Sequence, residues 1–433
     1  LIDAQNNFKN DAAGQLGISS SSISSWKRYQ KPIYGADGYY DSYESFVNAV
    51  VDHFRPYIHH RSLAKLIICD EPRYYNLEAV GVLYRGAKEA LRRLGREDIE
   101  IDANLLPLLA GWGYADGDGL GPLTGVGSNN YEKRSSIFKE YLDKFIRETG
   151  ANYISYDIYP LWDGSTSISP YDTIDECAYS NLIIAAEYAK SKGIELHVVT
   201  QAYTAVNRNS NRNRRVMSAN DMRWLCNQLM GFGVTRVSFF TYYNRSYTSS
   251  EFRYDSNDRN ATVGCMKIEH FNDQGIVDRI DRTKAYYSIQ GELAEMKEFS
   301  DVALNFSYHS CNFIKASNIT YKQDQTYSNY TKQPVRWAQM EHTGSFTGQL
   351  NSVSIDREYC FASTLVDKNG NYMYMIQNAC DPKFDAVQNE TLNFTSGNYA
   401  VIYENGTKRI VNIENNKIVL KLSPGHTAFV MVY

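Results

Sequence analysis

The segment Leu66-Ile67-Ile68-Cys69-Asp70-Glu71-Pro72 joins four consecutive apolar residues to two carboxylates and a proline. A short apolar run of this kind is typical of a parallel β-strand that is buried on both faces. Apolar residues at helical spacing follow at 77–94, and a similar pattern precedes at 45–58. Because a strand followed directly by a helix is the repeating unit of parallel α/β folds, the segment predicts that fold class.

The same strand–helix unit recurs along the first 300 residues. Four further strands are predicted, at 99–106, 153–157, 194–200 and 234–241. Helical patterns accompany them at 135–149, 180–190, 221–230 and 284–299. Spacings of roughly 35 to 55 residues between strands fit βα units with elaborated loops. With Leu1–Gln5 as the remnant of another strand, we expect a (β/α)8 TIM barrel whose two N-terminal units lie outside this chain.

The pattern changes after residue 300. Alternating strands at 359–366 and 372–376 flank Asp367-Lys368-Asn369-Gly370, which is a hairpin turn sequence. Further short strands are predicted at 399–403, 418–422 and 427–432. We therefore predict a partial TIM-barrel catalytic domain over 1–300 and an antiparallel β-sandwich over 301–433.

Composition restricts the class of function. A net charge of -4 without a basic stripe argues against a nucleic-acid partner. No apolar run reaches the roughly 18 residues that span a bilayer, so no membrane span is expected. The seven cysteines show neither CxxC nor zinc-finger spacing, and we expect neither a metal nor a cofactor. Eight N-x-S/T sequons are compatible with a secreted glycoprotein, and 35 tyrosines suit a protein that stacks on sugar rings.

Reacting groups in a TIM barrel lie at the C-terminal ends of the strands. The carboxylates at these predicted ends are Asp70, Glu71 and Asp157, which are the candidate catalytic residues. Amides, phenols and indoles near the same ends are candidate substrate contacts: Asn104, Trp112, Tyr156, Tyr159, Trp162, Gln201 and Tyr242. The carboxylates and the tryptophans also have a purely structural interpretation, in which the acidic pair caps the next helix, Asp157 positions a neighbouring group and the tryptophans anchor loops.

Asp70-Glu71-Pro72 resembles the Asn-Glu-Pro motif of clan A glycoside hydrolases. Tyr153–Pro160 is similar to the sixth-strand segment of barrel proteins related to family 42 β-galactosidases. The strand Phe239–Tyr242, the helix from Tyr287 and a Leu-x-Pro-Gly turn at Leu422–Gly425 fit the same pattern. The resemblance implies a TIM-barrel glycosidase with a carbohydrate substrate, in which the glutamate of the motif is the general acid/base.

The chain departs from that pattern at one position. The clan places its nucleophilic glutamate at the end of strand seven, where this chain has Gln201. An amide cannot attack an anomeric carbon, so three hypotheses stay open. Asp157 is the second carboxylate, about 5 Å from Glu71 in a retaining enzyme or roughly 6.5–9.5 Å in an inverting one. Alternatively, Asp70 and Glu71 resemble the dyad of substrate-assisted β-N-acetylhexosaminidases, or the barrel binds glycans without cleaving them.

Overall fold

The computed structural model divides into two compact units, residues 1–157 and 158–433. The residues it describes are 42–74, 77–107, 131–163, 179–207, 213–214, 217–242, 260–271, 277–316, 346–357, 359–380, 382 and 387–433. Leu1–Gln5 and Trp112, which figure in the sequence predictions, lie outside the described residues. None of the helices in these ranges is both long and apolar enough to cross a membrane.

The first unit alternates helices and strands. Its elements are α1 (Tyr43–Phe54), β1 (Lys65–Asp70), α2 (Leu77–Arg93), β2 (Glu100–Asn104), α3 (Tyr131–Thr149) and β3 (Tyr153–Ile158). Ser42 caps α1 by accepting a hydrogen bond from the backbone N–H of Ser45 at 3.0 Å. Apolar side chains of α1 and α2, among them Phe46 and Val82, form a shared buried core. The strands and helices predicted within the described part of this unit are confirmed. The expectation that β1 is buried on both faces is wrong, since Ile67 is 70% exposed.

The strands of the first unit place its acidic residues at one edge. β1 and β2 are parallel, with Asp70 opposite Asn104. A parallel bridge between Leu105 and Tyr156 continues the order toward β3. Because parallel strands end at the same edge of a sheet, the residues that follow all three strands come close together.

The second unit begins with further strands and helices. They are β4 (Trp162–Asp163), α4 (Ser180–Lys192), β5 (Glu195–Gln201), β6 (Thr204–Asn207), β7 (Asn213–Arg214), α5 (Ala219–Gly231), β8 (Val234–Phe240), β9 (Asn260–Val263), β10 (Met266–Phe271), β11 (Val277–Arg282) and α6 (Lys284–Ala303). β5 and β8 are parallel. Gly193 ends α4 in the left-handed conformation with φ of 65°, as a C-cap glycine does. The small sheet β4-β7-β6-β9 and the β10–β11 hairpin were not predicted from the sequence.

The chain after α6 forms two antiparallel sheets. The strands are β12 (Phe306–Lys315), β13 (Leu350–Ile355), β14 (Tyr359–Asp367), β15 (Tyr372–Asn378), β16 (Gln388–Phe394), β17 (Tyr399–Glu404), β18 (Thr407–Asn412), β19 (Lys417–Leu422) and β20 (Thr427–Val432). One sheet has the order β12-β14-β15-β20-β17-β18 and the other β13-β16-β19. Buried side chains from both sheets form one hydrophobic core. We refer to this region as the C-terminal sheets, and their antiparallel pairing confirms the change of pattern after residue 300.

Candidate active site

The edge where β1 ends carries the acidic pair. Glu71 follows the strand with φ of 45°, in the left-handed region that non-glycine residues seldom adopt. Its backbone N–H donates to the carbonyl oxygen of Asn104 at 2.8 Å, which holds the turn against β2. Such a backbone conformation costs about 1–2 kcal/mol. Its occurrence at a carboxylate residue points to a functional position.

Asp70 and Asn104 form the second element of the site. The Asn104 Nδ2 donates to the Asp70 carboxylate at 2.8 Å, across the β1–β2 pair. Asp70 is exposed, whereas Asn104 is buried. The Asn104 Oδ1 has no hydrogen-bond partner among the residues that the structure describes. The amide therefore orients Asp70 and leaves an acceptor for a further donor.

The Glu71 carboxyl is hydrogen-bonded to the side chain of Asp157. Asp157 is only 4% exposed, while Glu71 reaches solvent. Partial burial, followed by the negative charge of Asp70, raises the pKa of Glu71. The hydrogen bond with Asp157 acts in the opposite direction and lowers the pKa of Glu71. The raised pKa is the property that a general acid requires.

This contact bears on the role of Asp157. Two carboxyls joined by a hydrogen bond lie closer together than the separation of about 5 Å in retaining glycosidases or roughly 6.5–9.5 Å in inverting ones. The arrangement favours Asp157 as a positioning and proton-sharing partner of Glu71 over an opposed nucleophile.

A tyrosine that could not be predicted from the sequence holds the backbone next to the site. The buried Tyr141, on α3, donates to the carbonyl oxygen of Pro72 at 2.6 Å and accepts from the N–H of Leu106 at 3.2 Å. Tyr156 is fully buried and packs edge-on against Phe138, with ring centroids 6.3 Å apart. Its predicted role as a sugar contact has no support here, since the ring belongs to the core of the unit.

Gln201, at the end of β5, is also committed to the fold. The side chain is 0% exposed. Its Oε1 accepts from the N–H of Leu161 at 2.9 Å, and its Nε2 donates to the carbonyl oxygens of Leu161 and Tyr203. These bonds hold one loop against another, which favours a structural role over the predicted substrate contact.

The other predicted aromatic contacts are in the second unit. Tyr159 is half-buried and forms a three-ring cluster with Tyr203 and Phe240, at centroid distances of 5.4 and 5.8 Å. Tyr242 is exposed, and Trp162 lies in β4. Among the residues described, no group of three or more histidine, cysteine, aspartate or glutamate side chains is arranged to hold a metal ion.

Comparisons with known proteins place glycoside hydrolases among the solved structures that the chain is similar to. No family model and no curated protein matches the sequence. A family 44 xyloglucanase from Paenibacillus polymyxa has a TM-score of 0.37 and 9% identity, covering 94% of this chain and 73% of that chain. A family 27 β-L-arabinopyranosidase from Geobacillus stearothermophilus has a TM-score of 0.38 and 9% identity, covering 92% and 62%. An Anoxybacillus α-amylase has a TM-score of 0.29 and 9% identity, covering 99% and 96%. At such TM-scores these likenesses establish neither a shared fold nor a shared activity.

Proposed function

We propose that the protein is a glycoside hydrolase in which Glu71 is the general acid/base. The observation that carries the proposal is the Glu71 carboxyl, which reaches solvent at a strand end while burial and Asp70 raise its pKa. A carboxyl in this state keeps its proton until a glycosidic oxygen needs it. The parallel strand pairs and the antiparallel C-terminal sheets support a TIM barrel over 1–300 followed by a β-sandwich over 301–433.

In this reaction Glu71 protonates the leaving oxygen as the bond to the anomeric carbon breaks. A water oxygen then bonds to the anomeric carbon while the Glu71 carboxylate takes a proton from that water, which releases the sugar and restores the protonated acid. Asp157 shares a proton with Glu71 and holds its carboxyl in place. The substrate class we propose is an oligo- or polysaccharide, and the eight sequons support a secreted location for the enzyme.

The test compares leaving groups. Glu71→Gln should lose activity strongly on 4-nitrophenyl or alkyl glycosides but less on 2,4-dinitrophenyl glycosides, because a good leaving group needs no protonation. Glu97→Gln, which removes an exposed carboxylate from the same unit, is the matched control. Unchanged turnover of Glu71→Gln on every glycoside that the wild type cleaves would contradict the proposal.

A substrate-assisted N-acetylhexosaminidase is the second candidate. The contact between Glu71 and Asp157 favours it, because Asp157 is then not an opposed nucleophile and a substrate-assisted reaction needs none. The exposed Asp70 beside Glu71 favours it as well. In this version Asp70 orients the acetamido group, whose oxygen attacks the anomeric carbon. 4-Nitrophenyl N-acetyl-β-glucosaminide should then be cleaved far faster than the matching glucoside. Equal rates on the two substrates would exclude it.

A further inference from the structure

A groove of about 720 Å³ lies in the second unit, and none of the residues that line it belongs to the candidate active site. It is bordered by the end of α6, by the β14–β15 turn and by the end of β20. Its volume falls within the range of about 300–1,000 Å³ that is usual for small-molecule sites. The proposed hydrolase function makes no use of this groove.

One wall of the groove is a rigid aromatic surface. Tyr433 is 54% exposed, and its ring is stacked on that of Tyr399, with centroids 5.4 Å apart and an angle of 13° between the planes. The backbones of the two residues are joined by a hydrogen bond from the N–H of Tyr433 to the carbonyl oxygen of Tyr399 at 2.9 Å. The ring is therefore held in place before any ligand arrives, which lowers the entropic cost of binding.

A second tyrosine lines the same groove. Tyr372 is half-buried and stacks on Tyr374, with centroids 6.5 Å apart and an angle of 17°. The hydroxyl of Tyr374 accepts hydrogen bonds from the N–H groups of Gln349 and Leu350 at 2.8 and 3.1 Å, which hold the Tyr374 ring in place. Both groove-lining rings thus rest on another ring.

The part of the groove formed by the β14–β15 turn is polar and is also held in place before a ligand binds. The Asp367 carboxylate accepts hydrogen bonds from the backbone N–H groups of Asn369 and Asn371 and from the Asn371 side chain, all at 2.8 Å. These bonds fix the β14–β15 turn, whose exposed residues Lys368 and Asn369 face the groove. Asp301, from α6, adds another carboxylate to the lining.

Tyrosine rings combined with carboxylate, amide and ammonium groups match a particular kind of ligand. Aromatic faces contact the C–H face of a sugar ring, while the polar groups bond its hydroxyls. The carboxylates oppose a polyanion, and the polar turn does not suit a purely apolar ligand. We propose that this groove is a binding site for a neutral oligosaccharide, separate from the candidate active site.

The test uses the 433-residue chain carrying Glu71→Gln, which removes hydrolysis if the proposed function holds. Native gel electrophoresis is run in gels containing hydroxyethylcellulose, xyloglucan, arabinoxylan or galactomannan. We expect retardation in at least one gel. Tyr433→Ala or Tyr372→Ala should weaken the derived affinity by about thirtyfold or more, the size of a binding hot spot. Tyr433→Phe should retain it, because the stacking ring remains.

The control is Tyr287→Ala, which removes a tyrosine of similar exposure, 57%, from α6. It should leave retardation unchanged. Unchanged thermal unfolding of the two groove variants shows that lost binding is not lost folding. No retardation in any gel, or equal retardation of the parent and both groove variants, would overturn the proposal. Neither result depends on whether the wild type hydrolyses glycosides.

Discussion

Glu390 should make the stability of the protein depend on pH, in a direction opposite to that of most carboxylates. Its side chain is 0% exposed, in the middle of β16, between Ile355 of β13 and Leu420 of β19. Burial raises the pKa of Glu390 to about 8, and the hydrogen bond from the Gln388 Nε2 at 2.9 Å offsets this only in part. Glu390 is therefore protonated in the folded chain at neutral pH.

The sign and size of the effect follow from this shift. Between the ordinary pKa of 4.5 and the folded value of about 8, the unfolded chain has lost the proton and the folded chain keeps it. Unfolding then releases a proton, so the free energy of unfolding falls by about 1.4 kcal/mol for each unit of rising pH. From pH 4.5 to pH 7 the loss amounts to roughly 3 kcal/mol.

Glu390→Gln removes the titrating group and keeps an oxygen that accepts the bond from Gln388. We expect the variant to match the wild type near pH 4.5 and to exceed its free energy of unfolding by roughly 3 kcal/mol at pH 7. Urea unfolding at pH 4.5, 6, 7 and 8, followed by circular dichroism, measures the difference. Glu414→Gln, which removes an exposed carboxylate between β18 and β19, is the control. A difference between Glu390→Gln and wild type that does not grow with pH would refute the reasoning.

The remaining predictions concern the site and one glycine. Asp70→Asn removes a charge that raises the pKa of Glu71, so the alkaline limb of the kcat/KM profile should move to lower pH. An unchanged limb would show that Asp70 does not affect the pKa of the general acid. Asp157→Asn should lower kcat/KM by less than about 100-fold, whereas loss of a nucleophile costs on the order of 10⁶-fold, and kinetics on one glycoside decide between them. Gly425→Ala places a Cβ 2.7 Å from a backbone oxygen of α5 at φ of 81°, and should cost about 1–3 kcal/mol in thermal unfolding. Gly291→Ala, with open space and a helical backbone in α6, should instead stabilise the protein or leave it unchanged.

Much of the fold could be predicted because it depends on local periodicity. The run at 66–69 and its four counterparts are all strands, and the helical patterns between them are all helices. The hairpin over 359–376 was predictable from its turn sequence, since Asp367 and Gly370 suit a tight turn. The small sheet from β4 to β9 was not, because its strands are only two or four residues long, too short for a periodic pattern to stand out.

The candidate site was predicted in part, because sequence shows which residues end a strand but not where each side chain points. Glu71 and Asp157 were both placed at strand ends, and the structure joins them directly. Gln201 also ends a strand, yet its amide turns to the backbone of a neighbouring loop. Tyr141 left no signal, since its contacts with the site reach across 69 residues of sequence.

The contact between Glu71 and Asp157 also restricts what the site can do with protons. A hydrogen bond between two carboxyls forms only while one of them carries a proton. Delivery of that proton to a leaving group would leave two adjacent anions, with Asp70 as a third nearby charge. Such an accumulation of charge favours rapid recapture of a proton from the attacking water, which is the second half of general acid/base catalysis. The same charge repels an anionic substrate, and the acidic cluster is therefore better suited to a neutral sugar than to a uronic acid.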